Sequence, residues 1–230
     1  MALRFQRRKA ILFRQRGLTY GEIKKRLRVA KSTLSEWLHD VPLSKNQMAA
    51  LASNKQKSRE VAIEKTRLVK HKKRLNRLSL VYNHERKRLL PLNQKALEVA
   101  GLFLYWGEGN KNTQGSVALN NTDPLVVKFY LYWLVRIFEV PKERIKVGLQ
   151  LYSDMDKKKE MRWWSTLLRL PMSQFQKPYI KTSLRTSIDH KGYGHGTCGL
   201  VINNVRLKER ITMGIRALAE YYAKKTDDLV

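Results

Sequence analysis

An α+β fold is predicted by three features of the sequence. Helix-period blocks fill the first ninety residues, short runs of alternating apolar and polar side chains occur between residues 116 and 203, and helical segments separate most of those runs. The expected architecture is an N-terminal group of short helices, a long basic helix, and a four-stranded sheet packed on helices. At 230 residues the chain can bury one large or two small cores. The expected limits are 1–42, 43–92 and 93–230.

Charge narrows the partner. The chain carries 47 Lys and Arg against 19 Asp and Glu, a formal net charge of +28. Residues 1–100 hold 26 against 7 and the remainder 21 against 12, so the first part is the stronger electrostatic anchor. A polyanion is the first partner to expect, and nucleic acid is the commonest. A single cysteine, Cys198, excludes an intramolecular disulfide and fits a reducing compartment. The opening MALRFQRRKAILFRQRG scatters arginines through any apolar run, so neither a signal peptide nor a membrane span is expected, and a cytoplasmic location follows.

Residues 7–38 read as three short helices. Ala10, Leu12 and Phe13 mark an apolar side of the first, and Gly17 ends it. Thr19 and Glu22 form a capping box opening the second, with Ile23 and Leu27 facing inward. Arg28, Val29 and Ala30 make a turn. The third helix has Leu34, Trp37 and Leu38 inside, leaving Lys31, Ser32, Thr33, Ser35 and Glu36 toward solvent. The phrase GLTYGEIKKRLRVAKSTLSEWL resembles the resolvase- and sigma-factor-like helix-turn-helix segments. The resemblance implies that these five residues reach base edges in the major groove of double-stranded DNA.

Residues 43–90 contain no glycine and no proline and favour helix. Val61, Leu68, Leu75, Tyr82 and Leu89 recur every seven residues, but the complementary positions Glu64, His71, Leu78 and Glu85 are mostly polar. One side is therefore expected to pack on the chain or on a partner helix. The run KHKKRLNR, with Lys70, Lys72, Lys73 and Arg74, is expected to face phosphates, a solvated spacer being the plainer alternative.

Residues 96–106 form an apolar helix ending in Gly107, Glu108 and Gly109, with Gly101 as a notch. A carboxylate at a helix C-terminus meets partial negative charge, a disadvantage that a bound divalent cation such as Mg²⁺ would reverse. LYWGEGNK resembles the end of the motif helix in LAGLIDADG homing endonucleases. The resemblance implies that Glu108 binds the catalytic metal where two such helices meet over DNA. With one copy of the motif, a catalytic site implies a homodimer; Phe103 and Trp106 are bulkier than the family's contact residues, a departure that favours a non-cutting alternative. The resemblance further implies that the polar face of the sheet lies along DNA, with Lys146, Gln150, Lys181 and Arg185 as contacts, and Lys111 beside the acid. Sporulation regulators that combine these two folds without cutting supply the alternative, and an RNA-binding maturase is a third reading.

Beyond the apolar helix, Asp123 precedes Pro124 as a helix cap rather than a metal ligand. In the runs 145–152, 179–186 and 197–203, Ile145, Val147, Leu149, Leu151, Ile180, Leu184, Cys198, Leu200 and Ile202 are expected inside. Trp163 and Trp164 are expected to pack rather than stack on bases. His190, His195 and Cys198 fall in HKGYGHGTC, read as a hairpin loop rather than a zinc site. No phosphate-binding G-x-x-x-x-G-K-[ST] or G-x-S-x-G pattern occurs.

Overall fold

The structure is a computed structural model that describes residues 2–52, 55–111, 115–184 and 194–226. It is an α+β protein whose chain divides into two compact units, Met1–Leu90 and Pro91–Val230.

The first unit is helical. Helices α1 (Ala2–Gln15), α2 (Tyr20–Leu27) and α3 (Lys31–Leu38) enclose Ala10, Ile23, Val29, Leu34 and Leu38. Local chemistry sets each boundary. Gly17 adopts φ +87° after α1, a region glycine enters without strain. Thr19 Oγ1 accepts from the Glu22 amide at 3.3 Å while the Glu22 carboxylate accepts from the Thr19 amide at 2.9 Å, completing the capping box. Arg28 closes α2 in the left-handed region. Leu12, expected inside, is 52% exposed, because the inward face of α1 runs through Ala10 and Arg14 instead.

Helix α4 (Lys45–Ala52) opens with a second reciprocal cap between Ser44 and Gln47. Helix α5 (Lys55–Leu89) begins against the short helices and then leaves them. Val61 and Glu64 are buried. The Glu64 carboxylate meets the buried Arg14 guanidinium at 2.7 Å, and Arg14 also donates to the carbonyls of Val41 at 3.1 Å and Leu18 at 3.3 Å. Arg67 hydrogen-bonds the Tyr20 hydroxyl. Beyond this anchor the seven-residue stripe is not buried: Leu68, Leu75, Tyr82 and Leu89 all face solvent.

The second unit carries a four-stranded mixed sheet in the order β1-β4-β2-β3. The strands are β1 (Ser116–Asn121), β2 (Lys146–Tyr152), β3 (Tyr179–Lys181) and β4 (Thr197–Asn203). Strand β4 lies antiparallel to both β1 and β2, whereas β3 runs parallel to β2. Val117, Leu119, Val147, Leu149, Leu151, Cys198, Leu200 and Ile202 point into one core. Helices α6 (Gln94–Glu108), α7 (Pro124–Ile137), α8 (Lys157–Leu168) and α9 (Val205–Thr226) contribute most of its other side chains, with Val140, Ile145 and Leu170 from the connections. Asp123 caps α7 through its carboxylate, 2.8 Å from the Leu125 amide. Leu184, expected inside, is exposed, because β3 ends at Lys181 and the alternation has no ladder beyond it. Among the described residues no helix is long and apolar enough to cross a membrane.

Candidate nucleic-acid interface and acidic site

In the first unit, Leu34 and Leu38 hold the inner side of α3 fully buried. This fixes the opposite side outward: Lys31, Ser32, Ser35 and Glu36 are exposed and Thr33 is half-buried. Ala30 has extended backbone and cannot cap α3 with a side chain, so the first amides of that helix keep their capacity to bind an anionic oxygen. On α5, Lys70, Lys72, Lys73 and Arg74 are all exposed. Residues 68–89 hold eight Lys and Arg against Glu85 alone, which is held by Arg88 at 2.6 Å.

In the second unit the acidic position is built on α6. The indole of Trp133 occupies the notch at Gly101, where a Cβ would fall far inside van der Waals contact, and its Nε1 donates to the Glu98 carbonyl at 3.2 Å. Intrachain packing thus fills the notch at this glycine. The helix runs on through Gly107 to Glu108, so Gly107 is helical rather than a cap, and a Cβ there would meet nothing. Gly109 ends the helix with extended backbone (φ −73°). A Cβ at Gly109 would lie 2.5 Å from the Tyr105 ring, so it is glycine for space, not for φ.

Asn110 then pins the turn to β1. Its amide donates to the Ala118 carbonyl at 2.9 Å, and its Oδ1 accepts from the Ala118 amide at 2.9 Å and from the Tyr105 hydroxyl at 2.6 Å. Lys208 of α9 donates to the Tyr105 hydroxyl at 2.8 Å and to the Asn110 carbonyl. Burial pushes the Tyr105 phenol up to about 12 and draws Lys208 below the usual lysine range. Tyr130, stacked beside Tyr105, is raised well above its ordinary value, first by burial and then by the neighbouring phenol.

Glu108 itself is exposed. Among the described residues its hydrogen-bond partner is Asn121 Nδ2 at 3.4 Å, and no cationic side chain pairs with it. Nor do three His, Cys, Asp or Glu side chains gather there or elsewhere among the described residues. A lone carboxylate with an amide neighbour offers hard oxygen donors of the kind Mg²⁺ takes. Phe103 and Trp106, 5.7 Å apart between ring centres, stand exposed on the same helix.

The outward face of the sheet presents Lys146, Gln150 and Tyr152 of β2 with Lys181 of β3, whose ammonium lies 5.0 Å above the Tyr152 ring. Gly148 faces Gly199 across β2 and β4, and the side chain of Asn120 from β1 lies over Gly199. Lys146, Gln150 and Lys181 therefore share one surface. Glu108 is not among them, for it adjoins β1 at one edge while Lys181 lies on β3 at the other, about 14 Å away at ordinary strand spacing. Lys111 is exposed three residues beyond Glu108, and Arg185 and His190 lie outside the described residues.

The tryptophan pair packs as expected: Trp164 is fully buried and donates to the His195 carbonyl at 2.8 Å. Trp163 stacks flat on the His195 ring at 3.5 Å, and His195 Nδ1 lies 2.7 Å from the buried Glu160 carboxylate. These contacts hold the turn before β4. Sequence reasoning missed Arg14, Asn110, Glu160 and Lys208, each joined to partners by contacts that no local period announces. No family model, curated protein or solved structure matches the chain.

Proposed function

We propose that the chain is a sequence-specific double-stranded DNA-binding protein that cuts DNA as a homodimer, with Glu108 of each copy in the acidic centre. The observation that carries the binding half is α3: its apolar side is locked into a core while Lys31, Ser32, Ser35 and Glu36 project together from its exposed side. The cations of α5 supply the sequence-independent attraction to phosphates that such readout requires. The polar face with Lys146, Gln150 and Lys181 adds a second backbone contact.

The cutting half rests on Glu108, which stands at the negative end of α6 with no cationic side chain paired to it among the described residues. Bound there, Mg²⁺ would activate water and offset charge on the leaving oxygen. Glu108 of each copy would hold it, with phosphate oxygens completing the donors. Asn121 orients the carboxylate, and the pinned Asn110 turn fixes the height of α6's end above β1. The open side of Gly107 and the exposed Phe103 and Trp106 supply a surface for the second copy.

The bulk of those two aromatics favours a second reading, a transcriptional regulator that binds the same way without cutting. Selection of bound duplexes from a random library tests the binding half: a recurrent sequence, lost with Lys31→Ala/Ser35→Ala, is expected, and indifferent recovery of all sequences refutes it. Sequencing of new DNA ends in Mg²⁺ separates nuclease from regulator.

A further inference from the structure

The long helix presents a second surface that phosphates do not satisfy. From residue 68 to 89 its side chains are exposed apart from half-buried Glu85. Within that stretch Leu68, Leu75, Leu78, Tyr82 and Leu89 fall on one stripe at coiled-coil spacing, between 37% and 65% exposed. The positions flanking the stripe are Lys72, Arg74, Ser79, Val81, Arg86 and Arg88: four cations and no acid, Arg88 being paired at 2.6 Å with Glu85 of the seam itself. Lys70, Lys73, Arg77 and Lys87 lie on the opposite side of the helix.

We propose that this stripe docks an acidic amphipathic helix of another protein, with apolar residues at its own seam and Glu or Asp along both margins. Charge complementarity selects this occupant. A second copy would set Arg67 against Lys72 and bring together two helices that each carry eight cations and one acid over residues 68–89, with no opposite charge at either margin. The other long helix of the chain, α9, offers no substitute, with six Lys and Arg against two Glu. Duplex DNA would neutralise the cations but leave five large apolar side chains uncovered. An acidic helix satisfies both, and it leaves the rear cations to phosphate, so the two ligands can be held on opposite sides.

The test titrates the full-length protein with a labelled helical peptide of about three heptads bearing Leu at the seam and Glu at the margins. A scrambled peptide of equal composition and a Lys-margined version serve as controls. Binding to the Glu-margined peptide is expected, with both controls and the variant Leu75→Gln/Leu78→Gln weaker by roughly tenfold or more. Glutamine is a good helix former and both sites are exposed, so unchanged circular dichroism is expected alongside. Equal binding of the scrambled peptide would overturn the proposal, as would undiminished binding by the variant. So would a variant that instead loses self-association or duplex affinity, for a second copy or DNA would then be the occupant.

Discussion

Replacing Glu64 with leucine isolates a buried charge, and the size of the effect follows from what remains around Arg14. Both side chains are at most 5% exposed, so removing the carboxylate leaves the guanidinium in the interior of the first unit. Breaking a buried pair in this way typically costs about 3–5 kcal/mol. Arg14 retains the Val41 and Leu18 carbonyls and the Tyr20 ring, 4.5 Å away, which places the expected loss near the lower end, about 3 kcal/mol. A 90-residue unit has on the order of 5–13 kcal/mol of stability, so it should stay folded but open more often. The same geometry carries a second consequence. Glu64 Oε1 and Arg67 Nη2 are buried without hydrogen-bond partners, so the network is incompletely satisfied and an apolar pair should replace it well. Native-state hydrogen exchange read on α1 and the start of α5 should therefore accelerate about 150-fold in Glu64→Leu and return to within about fivefold of wild type in Arg14→Met/Glu64→Leu. Exchange in the single variant within about threefold of wild type would refute the reasoning.

Three further outcomes follow from the packing and the charges. Gly101→Ala should destabilise the second unit by about 2–4 kcal/mol through overlap with Trp133 and loss of its bond to Glu98, whereas Gly107→Ala should be neutral or stabilising by about 0.5–1 kcal/mol; thermal melts compare them. Lys70→Ala/Lys73→Ala should reduce the slope of log affinity against log salt for duplex DNA by about 2, while Ser32→Ala/Ser35→Ala should change sequence preference with little change in slope. Because burial raises Tyr105 to about 12 and Tyr130 well above its ordinary value, the unfolded chain loses those protons first. Stability is thus fully present below pH 10 and falls as pH rises toward about 12, with tyrosinate absorbance and unfolding tracking each other.

The parts of the fold that were legible are those written in neighbouring residues. The Thr19–Glu22 cap, the Asp123-Pro124 helix start and the alternation in β2 and β4 each act within a few positions, so the sequence displays them. Ser44 and Gln47 carry the same kind of signal, and it was open to reading. Alternation misled at Leu184 because a pattern can continue past the point where a partner strand is available. The repeat on α5 was visible too, but period says nothing about whether a face is covered, and here only Val61 is. What could not be read was the set of polar contacts between distant residues. Lys208 reaches Tyr105 across 103 positions and His195 reaches Glu160 across 35, and neither leaves a trace in local composition. The acidic position divides the same way: Glu108 between two glycines stood out, whereas the Asn110 pin and the Trp133 indole that build its setting did not.

The most direct test of the account is a cleavage reaction. Fragmented genomic DNA and a random duplex library are incubated with the full-length protein in Mg²⁺, with Glu108→Gln and a chelator as parallel conditions, and all new ends are sequenced. Recurrent ends are expected in the wild-type reaction and vanish in both parallel conditions while duplex binding persists. Intact DNA despite tight wild-type binding would contradict the nuclease and leave the regulator, and ends made equally by Glu108→Gln would remove Glu108 from the centre of the chemistry.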